Sequence, residues 1–116
     1  MKQANYTPNR GDLVWLDFTP HAGHEQGRRC PGLILSPITY NQRIKLALVC
    51  PITSQAKGFP FEVQLPQSLK VSGVILADHV RNLDWVARRA EFAGKIPESL
   101  LEDVLQRIEA ILRPTV

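Results

Sequence analysis

The sequence predicts an α+β domain, mainly β, with five to seven short strands around a barrel-like core and one amphipathic helix at the end. Three observations predict it. Short apolar runs, several of them alternating, are cut at close intervals by glycine, proline and asparagine up to residue 92. After Pro97 the period changes, and Leu100, Leu101, Val104, Leu105, Ile108, Ile111 and Leu112 recur at three-four spacing. A chain of 116 residues that is 44% hydrophobic is one domain, residues 1–116, with one core to fill.

In chain order, residues 1–10 are polar, include Pro8, and are expected to form a loose arm. Gly11-Asp12 opens the first strand. Leu13, Trp15 and Asp17 alternate there with Val14, Leu16 and Phe18, and two largely apolar faces predict burial on both sides. Thr19 to Gly23 breaks it, and a polar, basic loop runs from His24 to Pro31. The second strand is expected from Gly32 to Ser36, with Pro37 limiting its pairing. Tyr40 to Arg43 reads as a turn and Lys45 to Cys50 as the third strand. A polar segment, Thr53 to Gly58, precedes Phe61 to Leu65, which alternates cleanly as a half-exposed strand should. Another strand is expected from Gly73 to Ala77, continuing through Val80 towards Leu83, and Trp85 to Phe92 alternates less clearly. The helix is expected over 97–113, with Pro97 in its first turn and Pro114 as its stop.

The net charge of +3 is unevenly spread. Residues 96–116 carry −2 and the rest of the chain +5, so a basic body precedes a mildly acidic helix. That balance fits an anionic partner on the body. Cys30 and Cys50 form no C-x-x-C pair and have no zinc spacing, and are read as reduced thiols of a cytoplasmic protein. The first residues show no apolar signal-peptide core, and no apolar run reaches membrane-spanning length. No cofactor and no metal are expected. His21, His24 and Glu25 lie close together, but in a Gly/Pro loop that enforces no ligand geometry.

Two apolar strands therefore deliver two polar clusters, one rich in guanidinium and one in hydroxyl and amide. That pairing suits RNA phosphodiester cleavage, where the 2′-hydroxyl attacks the adjacent phosphate and the substrate brings its own nucleophile. The protein then needs a base, a proton donor for the leaving 5′-oxygen, and positive charge near the phosphate oxygens. Arg28 and Arg29 supply planar donors that match phosphate. Thr53 or Ser54 can hydrogen-bond a phosphate oxygen, and Glu25 can act as base or hold the 2′-hydroxyl. Phe18, at a strand end before the loop, is a candidate for base stacking. His24, Gln26, Gln55, Lys57, His79 and Arg88 complete the candidate RNA contacts. A rival acid-base pair can be drawn from His21, His24 and His79.

In order and spacing, Gly11-Asp12-Leu13-Val14-Trp15-Leu16-Asp17-Phe18, Gly23-His24-Glu25-Gln26, Leu35-Ser36-Pro37, Tyr40-Asn41, Pro51 to Gly58, Pro60 to Val63 and Gly73 to Val80 with Trp85 resemble the MazF/PemK (Kid) family of toxin endoribonucleases. The resemblance covers most of the chain. It implies an SH3-like barrel of the CcdB/PemK type, a homodimer, and metal-independent, sequence-selective cleavage of single-stranded RNA to 2′,3′-cyclic phosphate and 5′-hydroxyl ends. It implies a cognate antitoxin whose flexible acidic segment covers the RNA groove, and no membrane. The family's catalytic threonine falls on Thr53, its loop glutamate on Glu25 and its following lysine on Lys57. Its catalytic arginine falls on Cys30; Arg29 is one residue early and Arg28 two. In an extended backbone Arg28 shares the face of Cys30 and Arg29 points away, unless a bulge before Pro31 turns Arg29 inward. Arg29, being nearer, is taken as the replacement, with Arg28 as a phosphate contact. The alternative is a non-cleaving binder on the same scaffold, or a gyrase poison like CcdB.

Overall fold

The alternation of the first run becomes a strand, β1 (Asp12–Asp17), because its odd and even side chains enter two different apolar clusters. Leu13 joins one, while Val14 and Leu16 join the other. The computed structural model describes residues 5–18 and 29–114. Among these, β1 is followed by β2 (Arg29–Ile34), α1 (Ile38–Ile44), β3 (Ala47–Thr53), β4 (Glu62–Gln64), β5 (Val74–Leu76), β6 (Arg81–Leu83), β7 (Glu91–Lys95) and α2 (Glu98–Leu112). All strand pairs are antiparallel, in the order β4-β5-β3-β2-β1-β7, with β6 also on β3. The predicted mainly-β architecture with a C-terminal helix is therefore present. The sheet is open, since β4 and β7 do not pair with each other, and enclosure comes from apolar packing on both faces rather than from closure.

The first cluster joins Leu13, Leu33, Cys50, Ile52 and Ile75 to Leu101 and Val104 of α2. Each such side chain contributes roughly 1.5–3 kcal/mol on burial, so the three-four stripe of α2 is what docks it. The second cluster gathers Val14, Leu16, Phe18, Ile34, Val49, Leu83 and Trp85 on the opposite face, with Cys30 packed against it.

Several local expectations are corrected. The described part of the arm is anchored: Pro8 is buried, and the Tyr6 hydroxyl donates to Asp12 Oδ2 at 2.7 Å. Burial, reinforced by the Asp12 carboxylate, pushes the Tyr6 phenol well above its ordinary pKa. Tyr40 to Arg43 is part of a helix, not a free turn. The buried Asn41 donates through Nδ2 to the carbonyls of Pro8 (2.8 Å) and Ser36 (3.0 Å), and its own carbonyl accepts from Trp85 Nε1 at 3.0 Å. Tertiary hydrogen bonds thus override a run of poor helix formers. The long strand expected from Gly73 is broken by a turn in which His79 N donates to Leu76 O at 3.0 Å. Residues 85–89 are a turn as well, because the Asp84 carboxylate accepts from Val86 N (3.1 Å) and Ala87 N (2.9 Å). Trp15, expected as a core or partly buried anchor, is 37% exposed.

Candidate functional site

β3 ends at Thr53 because its preceding residues are rooted in the core and its successors are not. Ile52 and Cys50 point into the first cluster, while Ser54 to Pro60 are exposed. Thr53 pairs with Val74 of β5, and its Oγ1 accepts from Gln55 N at 3.1 Å, starting a local turn. Gly73 lies against it. A Cβ on that residue would stand 2.3 Å from the Thr53 carbonyl oxygen, at a φ of +120°. The close approach admits only glycine and fixes where the threonine sits.

The segment after Thr53 is held at two further points. The Glu62 carboxylate accepts from Lys57 N (3.1 Å) and Gly58 N (3.0 Å), gathering two adjacent amides onto β4. Arg107 of α2 donates to the Pro60 carbonyl and pairs with Asp103 at 2.9 Å. The exposed side chains of Ser54, Gln55 and Lys57 thus project from a restrained loop. A cavity of about 450 Å³ opens here, lined by Thr53, Ser54, Gln55, Cys30, Lys70 and Trp15 among others.

Arg29 is not in that company. It lies on β2, and its side chain crosses β1 towards β7, the direction opposite to β3. Nη1 donates to Asp17 Oδ1 at 2.9 Å, and Nη2 donates to the Arg89 carbonyl (2.7 Å), the Trp15 carbonyl (3.3 Å) and Glu91 Oε1 (3.3 Å). Arg89, at a left-handed φ of 55°, completes the cluster through Nε to Asp17 Oδ2 at 2.9 Å. The expectation that Arg29 and Thr53 converge is therefore corrected. Extended pairing of Asp17 with Arg29 keeps strict alternation, without the bulge that would have turned the side chain inward.

Arg89, with Arg29 beside it, holds the Asp17 carboxyl below the usual carboxylate range. A depressed folded-state pKa stabilises above the unfolded value of about 3.9 and is lost as pH falls through the folded one. Denaturant titrations between pH 7 and pH 2.5 should therefore show wild type losing stability in acid. Asp17→Asn should be less stable at pH 7 and flatter below about pH 4. Parallel curves for the two proteins would contradict this.

Two other expected contacts are structural. Phe18 is only 7% exposed and packs in the second cluster, so the stacking expectation is corrected: its ring faces the core and the Arg81 guanidinium, 5.7 Å from the centroid. Arg88 donates through Nη1 to the carbonyls of Asp17 (3.0 Å) and Phe18 (2.9 Å), closing the end of β1. His79 is exposed, 3.7 Å from Asp78, and does not line the Thr53 cavity. Cys50 is buried, and burial, aided by the Asp78 charge, pushes its thiol up to about 12, so it is no nucleophile. Glu25, Arg28, His24 and Gln26 lie outside the described residues, as does His21. Among the described residues no group of three His, Cys, Asp or Glu is placed to hold a metal ion, and no helix is long and apolar enough to cross a membrane.

Sequence reasoning missed Glu62, Gly73 and Arg81. Glu62 had a signal, as the outward residue of a clean alternation, and Gly73 another, as a glycine at a strand start. Arg81 had none beyond being a charge next to an apolar run.

The sequence model of the PemK-like, MazF-like toxins of type II toxin–antitoxin systems matches residues 9–112. The chain belongs to the PemK/MazF toxin family. It is 38% identical over 109 residues to the endoribonuclease toxin MazF of Escherichia coli K12, a match spanning 94% of this chain and 97% of that protein. The endoribonuclease toxin ChpB of the same organism is 36% identical over 109 residues, covering 89% and 92% of the two chains. Among solved structures, MazF of Deinococcus radiodurans superposes with a TM-score of 0.85 at 55% identity, covering 93% of this chain and 98% of that one. A MazE–MazF structure from the same organism gives 0.86 at 52% identity, covering 92% and 97%. A mycobacterial endoribonuclease at 18% identity and a TM-score of 0.74 shares the PemK/MazF fold.

Proposed function

We propose that this protein is the toxin of a toxin–antitoxin pair, an endoribonuclease that cuts single-stranded RNA, chiefly messenger RNA, at selected sequences. The observation that carries the reading is Thr53. It is a threonine rooted by core strands, and it lines a cavity together with exposed Ser54 and Gln55 and with Lys70. RNA brings its own nucleophile, so the protein's task is to orient the 2′-hydroxyl, stabilise the phosphate and protonate the leaving oxygen. Thr53 donates to a phosphate oxygen. Glu25 is the candidate base and Arg28 the candidate guanidinium, while Arg29 acts as a structural residue. The products carry 2′,3′-cyclic phosphate and 5′-hydroxyl ends, and no metal is needed.

The relatives' MazE–MazF complexes support a cognate antitoxin here too, one whose flexible acidic segment meets the basic body. The protein works as a homodimer in the cytoplasm, where its substrate is. Exposed Leu48, Val80, Ile111 and Leu112 around a groove of about 660 Å³ offer apolar surface for a second copy.

A specific observation favours a second reading. The family's arginine position is Cys30, and Arg29 is spent on Asp17 and Glu91. A non-cleaving RNA or antitoxin binder would look like this. Incubation of a long transcript with purified protein and a chelator, followed by mapping of the ends, separates the two. Cutting that survives chelation and falls by about 10²-fold in Thr53→Val supports the nuclease. Binding without cutting supports the second reading, and chelator-sensitive cutting contradicts the metal-free route.

A further inference from the structure

We infer that Arg81 binds a backbone phosphate of the RNA strand that reaches Thr53, supplying on this face a guanidinium that Arg29 does not. The inference rests on the endoribonuclease reading and adds to it a residue and a ligand group.

The first argument is position. Along β3 alternate side chains share a face, so Val49, Pro51 and Thr53 lie together. Membership of Val49 in the second cluster, and of Cys50 and Ile52 in the first, fixes which face that is. Arg81 is the direct antiparallel partner of Val49, and partners across a ladder present their side chains on the same side. Its guanidinium then reaches over the Phe18 ring, 5.7 Å from the centroid. Phe18 belongs to the cluster against which Cys30 packs, and its ring tip lies against Gly32, where an added Cβ would come within 3.2 Å of it. Arg81 therefore stands on the sheet face that carries both Thr53 and the position where the family keeps its arginine.

The second argument is an accounting of donors. Arg29 and Arg89 are bound to the Asp17 carboxylate, Arg88 to two carbonyls, and Arg107 to Asp103 and the Pro60 carbonyl. Arg81 is exposed, and among the described residues its guanidinium makes no hydrogen bond and no ion pair. An aromatic face holds a guanidinium without neutralising it and leaves its edge N–H groups unspent. An oriented cation with a free planar fork is what a phosphate diester requires. Val49 and Thr53 are four residues apart, about 13 Å along a strand, so Arg81 serves a phosphate flanking the scissile one. Its effect falls on binding, not on the chemical step.

The test uses the full chain and an RNA of the mapped cleavage sequence carrying 2′-deoxy at the attacked nucleotide, so that binding is read without cutting. Arg81→Ala is expected to weaken binding about tenfold, and to reduce the slope of log affinity against log salt by about 0.7, the value of one single-strand phosphate contact. With cleavable RNA, KM rises and kcat holds. Arg81→Lys keeps the salt slope and recovers part of the affinity. Arg113→Ala, which removes an equal charge from the far end of α2, leaves both unchanged. Equal affinity and slope for wild type and Arg81→Ala overturn the assignment, as does an equal loss in Arg113→Ala, which would mean general charge only. A fall in kcat at unchanged KM also overturns the flanking-phosphate role. Wild type that binds no RNA overturns the endoribonuclease reading along with this one.

Discussion

Arg28→Ala should lower RNA cleavage by about 10²–10³-fold with little change in melting temperature, whereas Arg29→Ala should keep most of the rate and lose about 1–2 kcal/mol of stability. The two neighbouring arginines are expected to separate because their obligations differ. Arg29 anchors four acceptors on β1, the 88–91 segment and β7, and its removal leaves Asp17 with Arg89 alone. That is a loss of fold, felt in denaturation. A guanidinium that stabilises charge on the phosphate is a loss of rate, felt in single-turnover cleavage. The measurement is the pair of assays on the pair of variants. A fully active Arg28→Ala beside a folded, inactive Arg29→Ala would return the catalytic role to Arg29 and require the Asp17 cluster to open on binding RNA.

Gly73→Ala should be the most damaging alanine substitution among the described glycines. The new methyl would stand 2.3 Å from the Thr53 carbonyl oxygen and 2.9 Å from its carbon, in a backbone conformation at φ +120° that L-residues rarely adopt. Both neighbours are backbone, so no side chain can swing away, and β3 and β5 must part. A cost of about 3 kcal/mol is expected, or a melting temperature lower by about 10 °C. It greatly exceeds the several tenths that alanine returns by restricting the unfolded chain. Protein that still folds should cleave poorly, because a displacement near 1 Å at Thr53 costs about 10²-fold. Gly58→Ala is the control. Gly58 also has positive φ (+80°), but nothing lies within 4 Å of its added methyl, so only about 1 kcal/mol of backbone strain is expected. Equal effects of the two substitutions would mean that the contact with Thr53 carries no weight.

Much of the fold was legible because its signals are local. The three-four stripe from Leu100 to Leu112 needs only its own period to be read, and it docks through Leu101 and Val104. The alternation at Phe61 to Leu65 behaves the same way, with Val63 buried between half-exposed and exposed neighbours. Where a partner distant in sequence decided the outcome, local reading failed. Tyr40 to Arg43 looks like a turn until the Pro8 and Ser36 carbonyls are brought to Asn41. Trp15 lies on a strand that reads as buried on two sides, yet it is exposed in the fold.

The site divides along the same line. From the order of residues came the resemblance to the family, and from that resemblance the candidate threonine at the end of an apolar strand and the Cys30 that stands where the family keeps its arginine. The order and spacing that carry this resemblance are written in the chain. Which way each guanidinium faces is not, because an arginine reaches whichever acceptor or ring the sheet brings near it. Pairing of β1 with both β2 and β7 turned Arg29 to Asp17, and pairing of β3 with β6 laid Arg81 over Phe18. Only the register of strands far apart in sequence could settle that, since a shift of one residue would have sent each side chain to the other face.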